Sequence, residues 1–187
     1  MFNSLRHSGA RPGDIVAVEG IGGLGHLGIQ YANRMGFVTM VVGRSKDKEP
    51  LAIKLGAKHY IDSGSRAPAE ELQKLGGARV VLATAPDARS MSALVGGLSA
   101  NGKLLIIAAA MEPLVINALD LIARRRSIQG WPSGTAKAGS YLRCRGSFNP
   151  LQRLICNVPG NCGLAQEELE RVKANIAQEL RQISLAR

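Results

Sequence analysis

Gly20-Ile21-Gly22-Gly23-Leu24-Gly25 separates an apolar run, Ile15-Val16-Ala17-Val18, from a stretch with helical spacing that extends from Gly23 to Met35. It matches G-x-G-x-x-G. Alone, that pattern is a common turn. After a strand and at the opening of a helix, it is the context in which glycines cradle a dinucleotide pyrophosphate. Gly20 then permits the tight turn, Gly22 lets the backbone approach the phosphates, and Gly25 lets the helix pack close to the strand. The free N–H groups and the dipole at the helix start face the phosphates. A plain surface turn is the competing reading, and the order of the surrounding elements argues against it.

That order is regular. Strands are expected over Asp14 to Val18, Phe37 to Val42, His59 to Asp62, Arg79 to Ala83, Lys103 to Ala108 and Ser127 to Trp131. Helices are expected between them, over Gly23 to Met35, Lys46 to Leu55, Ala67 to Leu75, Ala88 to Leu98 and Asn117 to Arg125. Pro50 fits only near a helix start. Arg124-Arg125-Arg126 falls in the expected last turn of its helix, where cations suit the dipole. Continuous apolar strands alternating with helices imply a parallel sheet covered on both faces. The expected fold is a doubly wound α/β domain, the Rossmann fold, with strand order 3-2-1-4-5-6 and a ligand crevice beside the first strand.

This domain is expected over residues 1–135. A divergent tail is expected over 136–187, with an irregular, basic loop at 136–163 and an amphipathic helix at 165–185. Leu169, Val172, Ile176, Leu180 and Ile183 recur there at spacings of three and four.

The whole-chain balance narrows the function classes. The 187 residues carry a formal charge of +10 and are 45% hydrophobic. Such a charge suits anionic partners, nucleotide phosphates among them. Aromatic residues for stacking bases are scarce and no groove-reading motif is visible, so nucleic acid is not expected as a partner. No apolar run is long enough for a membrane span, and the N-terminus lacks a signal-peptide core. A cytoplasmic location is expected. Cys144, Cys156 and Cys162 form no C-x-x-C pair, which supports neither a disulfide framework nor a zinc knuckle.

The end of the second strand bears on which dinucleotide is bound. NAD-selective sites place an acid there against the ribose hydroxyls. Here the chain reads Val42-Gly43-Arg44-Ser45-Lys46. Arg44, Ser45 and Lys46 offer a cation, a hydroxyl and a second cation, which suit a 2′-phosphate. NADP is therefore expected, with NAD the lesser alternative.

Several linked stretches now carry a family resemblance. They are Ser4-Leu5-Arg6, Gly9 to Asp14, Gly20 to Gly28, Lys54-Leu55-Gly56-Ala57-Lys58-His59-Tyr60-Ile61-Asp62, Ala83-Thr84-Ala85-Pro86, Leu98 to Leu104 and Ser127 to Trp131. Over about residues 3–135 the chain resembles the cofactor domain of medium-chain, zinc-dependent alcohol dehydrogenases. The resemblance implies hydride transfer between NAD(P) and an alcohol or aldehyde. It implies a pyrophosphate at Gly22, Gly23, Leu24 and Gly25, and a 2′-position reader at Gly43, Arg44 and Ser45. It implies a nicotinamide lining at Ala83, Thr84 and Ala108 to Ala110. It further implies a homodimer edge at the last strand, near Trp131.

The departures limit these expectations. The family's zinc ligands and proton relay precede the region of resemblance, so zinc is expected in the family with no site in this chain and no catalytic residue is assigned. The tail does not resemble the family's return to its catalytic domain, and a truncated or altered module is expected. The alternative is a non-catalytic NADP-binding module that docks a partner through its C-terminal helix.

Overall fold

The computed structural model describes residues 1–132. The expected tail, its helix at 165–185, the domain boundary at 135 and all three cysteines lie outside the described residues. Six strands form one sheet: β1 (Ile15–Glu19), β2 (Val38–Gly43), β3 (His59–Asp62), β4 (Ala78–Ala83), β5 (Leu98–Ile106) and β6 (Ser127–Gly130). They lie in the order β3-β2-β1-β4-β5-β6, and every neighbouring pair is parallel. The order reverses between β1 and β4, at the expected switch point of a Rossmann fold.

The helices are α1 (Phe2–Arg6), α2 (Gly23–Arg34), α3 (Glu49–Lys54), α4 (Pro68–Lys74), α5 (Ala88–Leu94) and α6 (Ala118–Ile122). One face of the sheet presents Ala17, Met40, Val42, Ile61, Val81, Ala83 and Leu104 to Leu72 of α4 and to Met91 and Leu94 of α5. The opposite face meets α2, where Val18 approaches Gly28. Burial on both faces explains why the strands read as continuous apolar runs. Pro50 sits in the first turn of α3, where its missing N–H has no helical partner to lose. A separate 3-10 turn, Lys46–Lys48, occupies the start of what reads as one helix.

Three further elements differ from expectation. β5 begins at Leu98, five residues before the expected Lys103, because Leu98 pairs with Ala78. The register shifts between Ala78 and Val80, and Asn101 takes φ 56°, so the Asn101-Gly102 turn signal is an irregularity inside the strand. The helix before β5 gives way to a 3-10 turn at Val95. The last helix ends at Ile122, not Arg125, with Arg125 in the left-handed region at φ 53°. The three arginines therefore lie beyond it. Arg126 instead donates to the carbonyls of Leu98 (2.7 Å), Gly96 (3.0 Å) and Asp120 (3.3 Å), and Arg124 donates to Gln73 Oε1 (2.8 Å). Arg126 thus fastens the end of α6 to the turn before β5, and Arg124 fastens it to α4.

Candidate cofactor site

One transverse row crosses all six strands. Ile61 pairs with Val42, Val42 with Glu19, Glu19 with Ala83, Ala83 with Ile106, and Ile106 with Gly130. Within two residues of each of these positions the chain leaves the sheet on the same edge. Gly20, Gly43, Thr84, Ile107 and Trp131 thus emerge side by side, although up to 111 residues separate them in the chain. A parallel sheet does this by construction, which is why its C-terminal edge collects ligand-binding loops.

The glycines divide the work at the first of these loops. Gly20 holds φ +87°, a conformation that costs other residues free energy, and its N–H donates to Val42 O at 2.8 Å. At Gly25 a Cβ would overlap the carbonyl oxygen of Gly20 and lie 2.8 Å from its carbon. α2 can enter this close only because Gly25 has no side chain. Gly22 and Gly23 are different: a Cβ on either meets nothing within 4 Å. Their bare backbone faces open space at the start of α2, which has no side-chain cap and no acid in its first turn. Leu24 is partly exposed beside them. His26 Nδ1 lies 3.1 Å from Gly22 O, a contact within its own helix.

The loops after β4 and β5 complete the edge. Ala83 is the buried last residue of β4. Thr84 closes the β1–β4 junction, with its N–H (3.2 Å) and Oγ1 (2.6 Å) both donating to Glu19 O. Ile107 and Ala108 donate to Ala83 O at 3.0 and 3.2 Å. Ala108 is half-buried and Ala109 exposed. Trp131 N–H donates to Ile106 O at 2.9 Å, and its ring packs against His7 with centroids 5.6 Å apart.

The loop after β2 shows why no acid ends that strand. A Cβ at Gly43 would overlap the Tyr60 hydroxyl and lie 2.8 Å from Cζ. That hydroxyl donates to Ser45 O at 2.5 Å. Arg44 is exposed and forms an ion pair with Asp87. Asp87 also caps α5, accepting from the N–H groups of Arg89 and Ser90 at 3.1 Å. The Ser45 hydroxyl donates to Asp47 (2.7 Å), so Ser45 is not a free donor as the sequence suggests. Lys46 is exposed in the 3-10 turn.

Two acids at this edge escape sequence reasoning. Asp87 reaches Arg44 across 43 positions, which no local pattern reveals. Glu19 ends β1 directly before the glycine motif. It is 3% exposed, and neither carboxylate oxygen has a hydrogen-bond partner. Burial pushes its pKa up from 4.5 to about 7. The nearby Ser90 side chain and Arg44 favour the ionised form, and Asp87 opposes it. A lone acid at the end of an apolar run, VAVEG, was the visible signal.

Comparison with known proteins agrees with this geometry. Residues 23–144 match the family model described as zinc-binding dehydrogenase. The chain belongs to the zinc-binding dehydrogenase family. The chain is 44% identical over 136 residues to the alcohol dehydrogenase patD of Penicillium expansum, covering 73% of this chain and 40% of that protein. It is 36% identical over 129 residues to a Bacillus subtilis protein described as a probable formaldehyde dehydrogenase, covering 69% and 36%. Among solved structures, 2R,3R-butanediol dehydrogenase of Bacillus subtilis superposes with a TM-score of 0.71 at 21% identity, over 81% of this chain and 45% of that one. A zinc-binding dehydrogenase of Sinorhizobium meliloti 1021, solved bound to NADP, gives a TM-score of 0.63 at 25% identity, over 68% and 40%. The chain spans about two fifths of the length of the curated relatives it matches. It is an alcohol dehydrogenase-like module.

Among the described residues, no group of three or more His, Cys, Asp or Glu could hold a metal ion. The described residues do not fit a zinc centre. No helix among them is long and apolar enough to cross a membrane.

Proposed function

We propose that this module binds a nicotinamide dinucleotide along the C-terminal edge of its sheet and prefers NADP to NAD. The observation that carries the reading is the division among the glycines. Gly20 and Gly25 are bare because the fold needs them so, whereas nothing in the fold fills the space at Gly22 and Gly23. Open backbone at the N-terminus of a twelve-residue helix suits a pyrophosphate. Ala83, Thr84, Ala108 and Ala109 would border the nicotinamide end, and Gly43 to Lys46 the adenosine end. When bound, the nicotinamide accepts or gives a hydride, which supports an oxidoreductase acting between an alcohol and an aldehyde. The chain's own part is to orient the dinucleotide and shield its buried side.

The NADP preference rests on Gly43, Arg44 and Lys46. Tyr60 occupies the space of an acidic side chain at 43, so the usual hydroxyl acceptor of an NAD site has no room. Arg44, directly after it, is an exposed cation. Its pair with Asp87 is solvent-exposed on the arginine side, and such pairs are worth only about 0–1 kcal/mol. A 2′-phosphate can therefore compete for it. A cytosolic setting with reduced thiols belongs to the same reading. So does pairing of two copies along β6, a sheet edge whose residues are mostly exposed.

Thermal unfolding of the full chain with NADP, with NAD and with neither tests the cofactor assignment. A ligand at 100 times its Kd stabilises the native state by about 2.7 kcal/mol. NADP is expected to raise Tm more than NAD at equal concentration, and Arg44→Ser to remove the difference. Equal shifts in the wild type overturn the 2′-phosphate assignment. No shift with either overturns the site.

A further inference from the structure

Glu19 is the one ionisable side chain in the transverse row Ile61, Val42, Glu19, Ala83, Ile106, Gly130. Its row neighbours Val42, Ile61 and Ala83 belong to the apolar core under α4 and α5. A carboxyl group in such a row, 3% exposed and with neither oxygen in a well-formed hydrogen bond, carries a desolvation cost that the nearby Ser90 side chain and Arg44 offset only in part. It sits directly behind the glycine cradle. The groups acting on it come from the two loops that flank the crevice: Arg44 after β2, and Asp87 and Ser90 at the start of α5. Its strand neighbours Val42 and Ala83 carry no charge, and the first turn of α2 brings no acid.

We propose that Glu19 is a proton-linked specificity residue of the crevice: a phosphorylated ribose seated at Arg44 is bound together with a proton on Glu19, and a ribose lacking that phosphate is bound with less proton or none. This rests on the cofactor reading above. Four effects act in one direction. The phosphate draws Arg44 away and removes the cation that favours ionised Glu19. Asp87 loses its partner and repels a second negative charge more strongly. The phosphate adds negative charge of its own. The bound nucleotide also covers the crevice and excludes water. Each disfavours the carboxylate relative to the neutral acid. By linkage, if the ligand raises the affinity of Glu19 for a proton, the proton raises the affinity of the site for the ligand.

The consequence is a dissociation constant for NADP that increases above pH 7. The increase is limited to about tenfold for each pH unit by which the ligand raises the Glu19 pKa. A nucleotide 2′-phosphate itself titrates near pH 6, and its binding to a cation releases a little proton. The informative quantity is therefore the difference between the wild type and Glu19→Gln, which holds a neutral group of similar shape.

Isothermal titration calorimetry of the full chain at pH 7, in phosphate and in Tris, counts the protons exchanged on binding. The free carboxyl is about half ionised there, so the wild type is expected to take up about half a proton more than Glu19→Gln when NADP binds. Adenosine 2′,5′-bisphosphate is expected to behave like NADP, and NAD to show a smaller difference. Equal proton counts for the two proteins, with NADP bound by both, overturn the role of Glu19 and leave the cofactor site standing. Equal differences for NADP and NAD overturn the link to Arg44. No binding of any nucleotide overturns the cofactor reading, and this inference with it. Should Glu19→Gln not unfold cooperatively, the wild type alone decides: its uptake with NADP vanishes at pH 5.5, where Glu19 already holds its proton, or the proposal fails.

Discussion

Replacing Glu19 by Gln should change how the stability of the ligand-free chain depends on pH. Burial raises the folded-state pKa of Glu19 from 4.5 to about 7, while the unfolded chain keeps the ordinary value. Between those values the unfolded state has lost the proton that the folded state still holds. Stability therefore falls as pH rises from about 4.5 to 7, and levels off above 7. The span is about 2.5 pH units, and each unit is worth about 1.36 kcal/mol, so the loss approaches roughly 3 kcal/mol. Gln does not titrate. Its buried amide carries a constant penalty of about 1–3 kcal/mol if it too lacks partners, which offsets the curve without tilting it. The readout is thus the slope. Urea unfolding followed by circular dichroism from pH 4.5 to 8, without nucleotide, should show a wild-type profile that falls relative to the variant by about 3 kcal/mol. In thermal melts the same change is on the order of 10 °C. Profiles that run parallel across this window would refute the picture of an unpaired, buried carboxyl at the end of β1.

Gly25→Ala places a methyl group against the Gly20 backbone and should cost about 1–3 kcal/mol or more, with loss of the NADP-induced rise in Tm, whereas Gly22→Ala meets nothing and should keep most of the stability while weakening NADP. Melts of both variants with and without NADP check this, and a wild-type response from Gly25→Ala would refute the close-packing role. Pairing along the exposed edge of β6 predicts a dimer for the full chain, and sedimentation velocity showing a monomer through the micromolar range would refute it.

The inner strands were legible because they are buried on both faces, which leaves uninterrupted apolar runs such as Val80 to Ala83. β3 matches the expected bounds, His59 to Asp62, because Gly56-Ala57 and Ser63-Gly64 punctuate it on either side. What was not legible depends on contacts distant in sequence. α1 is only five residues long, and Leu5 is buried by the rest of the domain. Asn101-Gly102 falls before the expected strand start at Lys103 until the pairing of Leu98 with Ala78 absorbs it into β5. Arg124 to Arg126 read as a helix end, yet the carbonyls of Gly96 and Leu98 take Arg126 instead. At the site, the glycine motif was readable because Gly20 and Gly25 meet through backbone geometry within six residues. The charges were not, because Arg44 and Asp87 meet only when β2 and β4 both flank β1.

On the proposed reading, this contrast lets the crevice discriminate between dinucleotides. An NAD site of this fold attracts ribose hydroxyls with an acid at the end of β2. Here that position is a glycine held open by the Tyr60 hydroxyl, which is itself fastened to Ser45 O. The acids lie elsewhere: Asp87 on the exposed arginine, Asp47 on Ser45, Glu19 in the wall behind the cradle. Asp87 and Asp47 each occupy a donor that a phosphate would otherwise use. With no ligand present, this arrangement keeps the cation of Arg44 paired and the charge of Glu19 partly quenched. A phosphate then gains affinity by displacing a weak exposed pair, and the buried acid responds by holding its proton. A neutral ribose displaces nothing and shifts Glu19 less. Selectivity in such a crevice comes from the competition among its own charges as much as from the cation that meets the ligand.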